Sequence, residues 1–179
     1  MKISSNVEGF ISTIEGSVIE HLSSKCSKGC IVQIGCFKGR SSWYIINGKQ
    51  PHIDAYLIDI DLQPEMKTLK CDTIHVIEAN SQVESTLQGI PPIEFLFIDG
   101  DHSFNGELKD IELWYPKVIS GGVIMVHDVY NIGDFSPEPD VQRAAFFGLM
   151  HKFKELYFDD FMFSPFHRVD TSLIIQKVG

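Results

Sequence analysis

The sequence predicts an α/β fold: a doubly wound, mostly parallel sheet with helices on both faces. Two observations carry that expectation. Short apolar runs alternate with helix-like segments through residues 30–130. Two of the runs also stop abruptly at ionisable groups: Phe95-Leu-Phe-Ile98 meets Asp99-Gly100-Asp101-His102, and Gly122-Val-Ile-Met-Val126 meets His127-Asp128. Continuous apolar runs suit strands buried on both faces of a parallel sheet, and ligands bind beyond the carboxyl ends of such strands. Asp99, Asp101, His102, His127 and Asp128 are therefore expected around one crevice, with donors enough for a divalent cation and a base.

Each element has its own signal. Ile3, Val7, Phe10, Ile11, Ile14, Val18, Ile19 and Leu22 recur at helical spacing, which predicts an amphipathic helix over 3–24, ended by Lys28-Gly29. Cys30–Ile34 is a buried strand, Gly35-Cys36-Phe37-Lys38-Gly39 a turn, and Arg40–Gly48 a helix closed by its glycine. Ala55–Asp59 is the next strand, followed by a short helical stretch near 63–70 and a third strand at Thr73–Ile77. Ser81–Leu87 is expected as a helix with Ser81 as N-cap, broken by Gly89-Ile-Pro-Pro92. Strand 95–98 leads to a helix over about 106–118, and Ser120-Gly121-Gly122 turns the chain into the fifth strand. Asn131–Asp140, with Gly133, Pro137 and Pro139, is expected as a loop over the site. Val141–Leu156 is a further helix. Tyr157–Phe163 and Val169–Lys177 form a closing strand pair turned at Ser164-Pro165-Phe166.

Composition narrows the class. With 179 residues, 44% of them hydrophobic, one domain is expected. Its parts are a helical cap (1–28), a core (30–130) and a lid, helix and strand pair (131–179). A net charge of −9 argues against phosphate-driven nucleic-acid binding. No apolar run approaches the ~20 residues that span a bilayer. MKISSNVEGF does not read as a secretory signal, so the expected location is the cytoplasm. Cys26, Cys30, Cys36 and Cys71 match no zinc spacing and are expected as free thiols.

The turn Gly35-x-x-x-Gly39 between strand and helix lets a ligand lie against main-chain N–H groups. Asp59 ends the next strand about twenty residues later, where a carboxylate can accept from a ribose diol. The spacing is not the G-x-G-x-x-G of a dinucleotide site. It favours a nucleoside with an uncharged or zwitterionic tail.

With these motifs in place, Ile31–Ser42, Phe95–Phe104 and Gly121–Asp128 resemble class I S-adenosylmethionine-dependent methyltransferases. The nearest branch is methyltransferase family 24, related to the metal-dependent catechol-type O-methyltransferases. The resemblance implies a Rossmann-like sheet of seven strands with the last antiparallel. It also implies S-adenosylmethionine as cofactor, a divalent ion (Mg2+ or Mn2+) and a small hydroxylated acceptor. The implied cofactor set is Gln33, Gly35, Cys36, Phe37, Gly39, Ser41, Asp59, Asn80, Ser81, Asp99 and Gly100, with Asp59 on the ribose and Asn80 and Ser81 flanking the adenine. The implied metal ligands are Asp99, His127 and Asp128, and the implied base is His102, oriented by Asp101.

Two departures stand out. Gln33 replaces an acidic residue at the end of the first strand and still offers an acceptor to the cofactor's ammonium group, without the charge. His127 replaces a carboxylate, which shifts a metal site toward manganese, iron, cobalt or zinc, unless it only orients Asp128 or the substrate. Asp101 and Ser103 precede a helix and are also candidates to cap it. Two other functions remain open at this point: a catalytically degenerate cofactor-binding sensor or scaffold, favoured by Gln33, and an NAD(P)-binding oxidoreductase. The N-terminal helix and the aromatic C-terminal region are candidates for a homodimer surface.

Overall fold

The structure, a computed structural model, describes residues 7–69, 71–129, 144–145, 148–149 and 166–177. The elements run α1 (Thr13–Lys25), β1 (Cys30–Ile34), α2 (Arg40–Gly48), β2 (Ala55–Asp59), α3 (Pro64–Lys67), β3 (Ile74–Glu78), β4 (Ile93–Ile98), α4 (Phe104–Trp114), β5 (Val118–Val126), β6 (Phe166–Val169) and β7 (Ser172–Gln176). They build one seven-stranded sheet of order β3-β2-β1-β4-β5-β7-β6. β1 pairs parallel with β2 and β4, β2 with β3, and β4 with β5. β7 is antiparallel to both neighbours.

β1 and β4 are buried along nearly their whole length because their residues alternate between two cores. Val32, Ile34, Leu96, Ile98 and Ile124 face the layer that holds Ile111 and Trp114 of α4. Ile31, Leu57, Phe95, Phe97 and Met125 face the layer that holds Ile19 of α1 and Ile45 of α2. This two-sided burial explains the continuous apolar runs. Trp114 is fully buried in the first of these layers. His75 is satisfied within the sheet by Asp54 at 2.8 Å and a stack on Tyr56.

Several boundaries differ from expectation. α1 begins at Thr13, because Ser12 and Glu15 form a capping box. Residues 7–12 instead lie across the start of α2, where Arg40 donates to the carbonyls of Ile11 (3.0 Å) and Val7 (3.3 Å). The expected helix at 81–87 is only a 3-10 turn over Glu84–Leu87, with Val83 rather than Ser81 at its start. α4 begins at Phe104, capped by Ser103, and Tyr115–Lys117 continues as a 3-10 turn. β5 begins before the Ser120-Gly121-Gly122 segment, which forms a bulge: Ile93 pairs with Val118 and Phe95 with Val123. Gly121, at φ 79°, absorbs it. The closing hairpin turns at Asp170-Thr171, with Asp170 at φ 55°, and Phe166 belongs to β6. A short Asp tolerates that left-handed conformation. The expected loop Asn131–Asp140, strand Tyr157–Phe163, turn residues Ser164 and Pro165, and helix residues 3–6 lie outside the described residues. So does most of Val141–Leu156, of which Ala144, Ala145 and Leu149 are described and buried.

α1 and α2 pack closely through glycine. A Cβ on Gly16 would overlap the Tyr44 ring, and one on Gly48 would overlap the Glu20 carbonyl. Gly48→Ala gains helix propensity of about 1 kcal/mol but forces two backbones apart, for which overpacking costs about 1–3 kcal/mol. We expect a net loss of up to about 2 kcal/mol in urea denaturation, with the cooperative slope unchanged.

Candidate active site

The order of the strands places a switch point between β1 and β4, and a cavity of about 1060 Å³ opens there at the carboxyl ends of β1, β2, β4 and β5. The strand ends are held level by backbone bonds: Asp99 N to Ile34 O, Gly35 N to Ile58 O, Ala79 N to Asp59 O and His127 N to Ile98 O, all 2.9–3.0 Å.

One end of the cavity is formed by the glycine turn. Gly35 (φ 80°) and Gly39 (φ 93°) occupy left-handed conformations. Both are also required by packing, because a Cβ on Gly35 would overlap the Asp99 carbonyl and one on Gly39 the Met66 sulfur. Four of the turn's amides, those of Gly35, Cys36, Phe37 and Gly39, are taken by acceptors of the protein itself. Asp59 Oδ2 accepts from Cys36 N (2.7 Å) and Phe37 N (2.9 Å), and its Oδ1 accepts from Asp61 N (2.9 Å). Asp59 therefore locks the turn from inside the cavity, which it also lines. Cys36, Phe37 and Ser41 line it too. Burial pushes the Cys36 thiol well above its ordinary range, so it is a packing residue rather than a nucleophile.

Gln33 is corrected. It is fully buried and does not line the cavity. Its Nε2 donates to Gly35 O and Ser41 Oγ (both 2.7 Å), and its Oε1 accepts from Ser42 Oγ at 2.8 Å. The amide pins α2 to the turn, a task for which it needs both a donor and an acceptor.

Asn80, Ser81 and Gly100 do border the cavity. Asn80 Oδ1 accepts from Gln82 N (2.8 Å), and Ser81 O from Trp114 Nε1 (3.0 Å), which fixes this wall to α4. Asp101 is placed as a local brace. Its Oδ1 accepts from Ser103 N (2.9 Å) and its Oδ2 from Gln82 Nε2 (3.3 Å), at the start of α4. The capping alternative describes it better than an orienter of His102.

The other end of the cavity is acidic. His127 is buried, with Nδ1 3.1 Å from Asp99 Oδ1 and 3.2 Å from Asp128 Oδ2. Its Nε2 lies 3.5 Å from Glu15 Oε2, an ion-pair distance without hydrogen-bond geometry. Burial by itself lowers the His127 pKa, but Asp99, Asp128 and Glu15 raise it to about 12. Glu15 is also 1% exposed. Burial raises its carboxyl, and contacts with His127 and Thr171 bring it down to about 2. Asp99 is likewise raised by burial and held below its ordinary value by His127 and His102.

His127 thus sets Nδ1 against Asp99 and Asp128 and Nε2 against Glu15, in keeping with the orienting role as well as with the expected ligand role. Asp99, His102 and Asp128 are the group whose ligand atoms lie within 4.8 Å of one another. His102 Nε2 is 3.5 Å from Asp99 Oδ1 and 3.9 Å from Asp128 Oδ2. Two carboxylate oxygens and one imidazole nitrogen fit a divalent cation, with the nitrogen favouring manganese, iron, cobalt or zinc over magnesium.

Behind this loop, Glu107 and Asp110 of α4 are buried, and among the described residues neither Asp110 oxygen nor Glu107 Oε1 has a hydrogen-bond partner of good geometry. Burial, with the neighbouring carboxylates, raises Glu107 well above its ordinary value and Asp110 to about 6. Sequence reasoning missed Glu15, whose signal (Ser12-x-x-Glu15) reads only as a helix start. It also missed the cavity-lining Arg40, Ile60 and Thr171, which carry no motif.

A family model described as a methyltransferase domain matches residues 32–129, more than half of the chain. The chain belongs to the methyltransferase-domain family. Among curated proteins, an uncharacterized protein of Acanthamoeba polyphaga mimivirus is 29% identical over 161 residues, covering 80% of this methyltransferase-family chain and 70% of the relative. Among solved structures, the MycE methyltransferase from the mycinamycin biosynthetic pathway, in complex with Mg, SAH and mycinamycin VI, aligns over 96% of this chain at 17% identity and a TM-score of 0.66. This chain spans about half the length of MycE, 51%. The O-methyltransferase from Bacillus cereus, in complex with SAH, aligns over 94% of this chain and 83% of its own, at 17% identity and a TM-score of 0.63. These likenesses establish the methyltransferase fold.

Two pH dependences follow. The stabilisation from His127 is fully present below its unfolded pKa of 6.5 and is lost as pH rises from there through about 12. His127→Gln leaves three carboxylates without their cation and should lose about 3–5 kcal/mol at pH 6. The gap to wild type should narrow steadily toward pH 10, as read by urea denaturation across pH. Asp110 has the opposite consequence, because a raised acid stabilises below its unfolded pKa of 3.8 and that contribution is lost as pH rises through about 6. Asp110→Asn should therefore gain on wild type between pH 4 and 7, by up to about 2–3 kcal/mol.

Proposed function

We propose that this chain transfers the methyl group of S-adenosylmethionine to a hydroxyl oxygen of a small acceptor, with a divalent cation at Asp99, Asp128 and His102. The observation that carries this reading is the convergence, in one cavity, of the glycine turn locked by Asp59 and the cluster Asp99, His102 and Asp128. Family membership supports methyl transfer. The Mg and SAH in the MycE complex and the SAH in the Bacillus cereus complex support the cofactor and the cation.

In-line transfer needs the acceptor oxygen about 3 Å from the sulfonium carbon and stripped of its proton. A bound divalent cation would supply a lowered hydroxyl pKa and a fixed orientation. The hydroxyl's proton goes to His102 Nε2 where that nitrogen does not hold the cation, and otherwise to solvent water at the cavity mouth; the chain's other groups shape the site. The turn Gly35–Gly39 and Asp59 shape the nucleoside end, and Asn80, Ser81 and the exposed Ile60 border it. Asp99 and Asp128 present their oxygens toward the same space from the ends of β4 and β5. Gln33 does not touch the cavity, so its replacement of an acid does not argue for a degenerate site. The missing dinucleotide glycine spacing disfavours an oxidoreductase. Free, buried Cys26, Cys30 and Cys36 fit a reducing compartment, and we place the reaction in the cytoplasm.

Calorimetry tests the reading. We expect S-adenosylmethionine and its demethylated product to bind with micromolar Kd, and Mn2+ to bind more tightly than Mg2+. Asp99→Asn should weaken Mn2+ by at least tenfold. Binding of NAD alone would refute the proposal. His102→Gln separates two roles at that residue. A ligand role predicts weaker Mn2+ binding, whereas a pure base role predicts a 10²–10⁴-fold fall in kcat with Mn2+ affinity unchanged.

A further inference from the structure

We propose that Glu15, on the N-terminal helix, is a positioning residue of the site: it holds the His127 ring so that Nδ1 faces Asp99 and Asp128 together. This rests on the cation site proposed above.

Glu15 does more than start a helix. A capping box needs one carboxylate oxygen to accept from the N-cap amide and leaves the other to solvent. Here Oε2 accepts from Ser12 N at 3.1 Å and also faces His127 Nε2 at 3.5 Å. Oε1 accepts from Thr171 N (3.1 Å), Thr171 Oγ1 (2.7 Å) and Ser172 Oγ (2.8 Å). The carboxylate is 1% exposed, so it is committed wholly to these partners. Burying a carboxylate is unfavourable unless it is paired and hydrogen-bonded, and every contact here is one or the other.

The geometry forms a chain of contacts. Thr171 and Ser172, at the start of β7, hold Glu15, which engages one nitrogen of His127. The opposite nitrogen touches Asp99 Oδ1 at the end of β4 and Asp128 Oδ2 just past β5. A carboxylate facing Nε2 favours the ring orientation that turns Nδ1 toward Asp99 and Asp128. Asp99 and Asp128 are thereby drawn to one point, and His102 Nε2 stands within reach of the same two oxygens. Outer partners that orient ligating groups in this way are worth about 10–100-fold in metal affinity.

The first test uses the wild-type chain without metal. In 1H–15N NMR, both ring nitrogens of His127 should carry slowly exchanging protons, with Hε2 close in space to the Glu15 side chain. A ring lacking the Nε2 proton would overturn the proposal. The second uses Glu15→Gln, with Glu15→Asp in its place if the first does not fold. We expect the Nε2 proton to exchange at least tenfold faster and Mn2+ affinity to fall by about tenfold, with binding of the demethylated cofactor product within twofold of wild type. Ser12→Ala, which removes the side-chain cap but keeps the carboxylate, should lower Tm and leave Mn2+ affinity unchanged. Wild-type Mn2+ affinity in a folded Glu15→Gln chain, or an equal loss in Ser12→Ala, overturns the proposal. Absence of Mn2+ binding in wild type would instead sink the cation reading, while the exchange of the ring proton still decides the role of Glu15.

Discussion

The approach of Gly35 to the carbonyl of Asp99 sets the position of everything that follows. β1 and β4 are parallel neighbours, yet the chain leaves one toward β2 and the other toward β5. Their two loops must therefore diverge, and the space between them is the cavity. Contact at the base of that divergence is possible only with hydrogen at the Cα and a left-handed turn, which Gly35 provides. The crevice is thus a steric consequence of strand order, and its depth comes from how closely the two strand ends meet before parting.

Charge organises the floor of the crevice. Glu15, Asp99 and Asp128 surround a single buried imidazole, and each acid reaches it from a different element. Glu15 has no favourable alternative: water is excluded from it and largely from His127, and isolated buried charges are costly. The docking of α1 is therefore electrostatically tied to the ends of β4 and β5. It is also sterically tied to α2 through Gly16 and Gly48. An acidic chain that gathers five carboxyl groups near the site (the buried Glu15 with the partly exposed Asp99 and Asp128, and the buried Glu107 and Asp110) tolerates them in two ways. The first three face the histidine, and the α4 pair is held toward the protonated form.

The glycine turn illustrates how a correct motif can have an internal purpose. Its amides point at a carboxylate, but that carboxylate belongs to the protein. Asp59 satisfies Cys36 N and Phe37 N directly, while Gln33 ties the turn to α2 from below. A turn held on both sides is rigid before any ligand arrives, and rigidity is what lets a shallow set of contacts select one shape.

The order of strands and helices, the parallel core and the acidic strand ends were legible in the sequence, because apolar periodicity and abrupt polar stops are local properties. So were the helix caps at Ser103 and the hinge glycines Gly35 and Gly39. The roles of Gln33, Asp101 and His127 were not. Each carries groups suited to ligand or metal, and whether they are used for that depends on which neighbours arrive from distant parts of the chain: Ser42 for Gln33, Gln82 for Asp101, Glu15 for His127. The sequence by itself determined which chemistries were present and at which end of the sheet they gather. Only the tertiary structure decided which side chains face the cavity and which are consumed in building it, because a hydrogen bond or ion pair is short-ranged, and its partner is chosen by packing across the fold rather than by spacing along the chain.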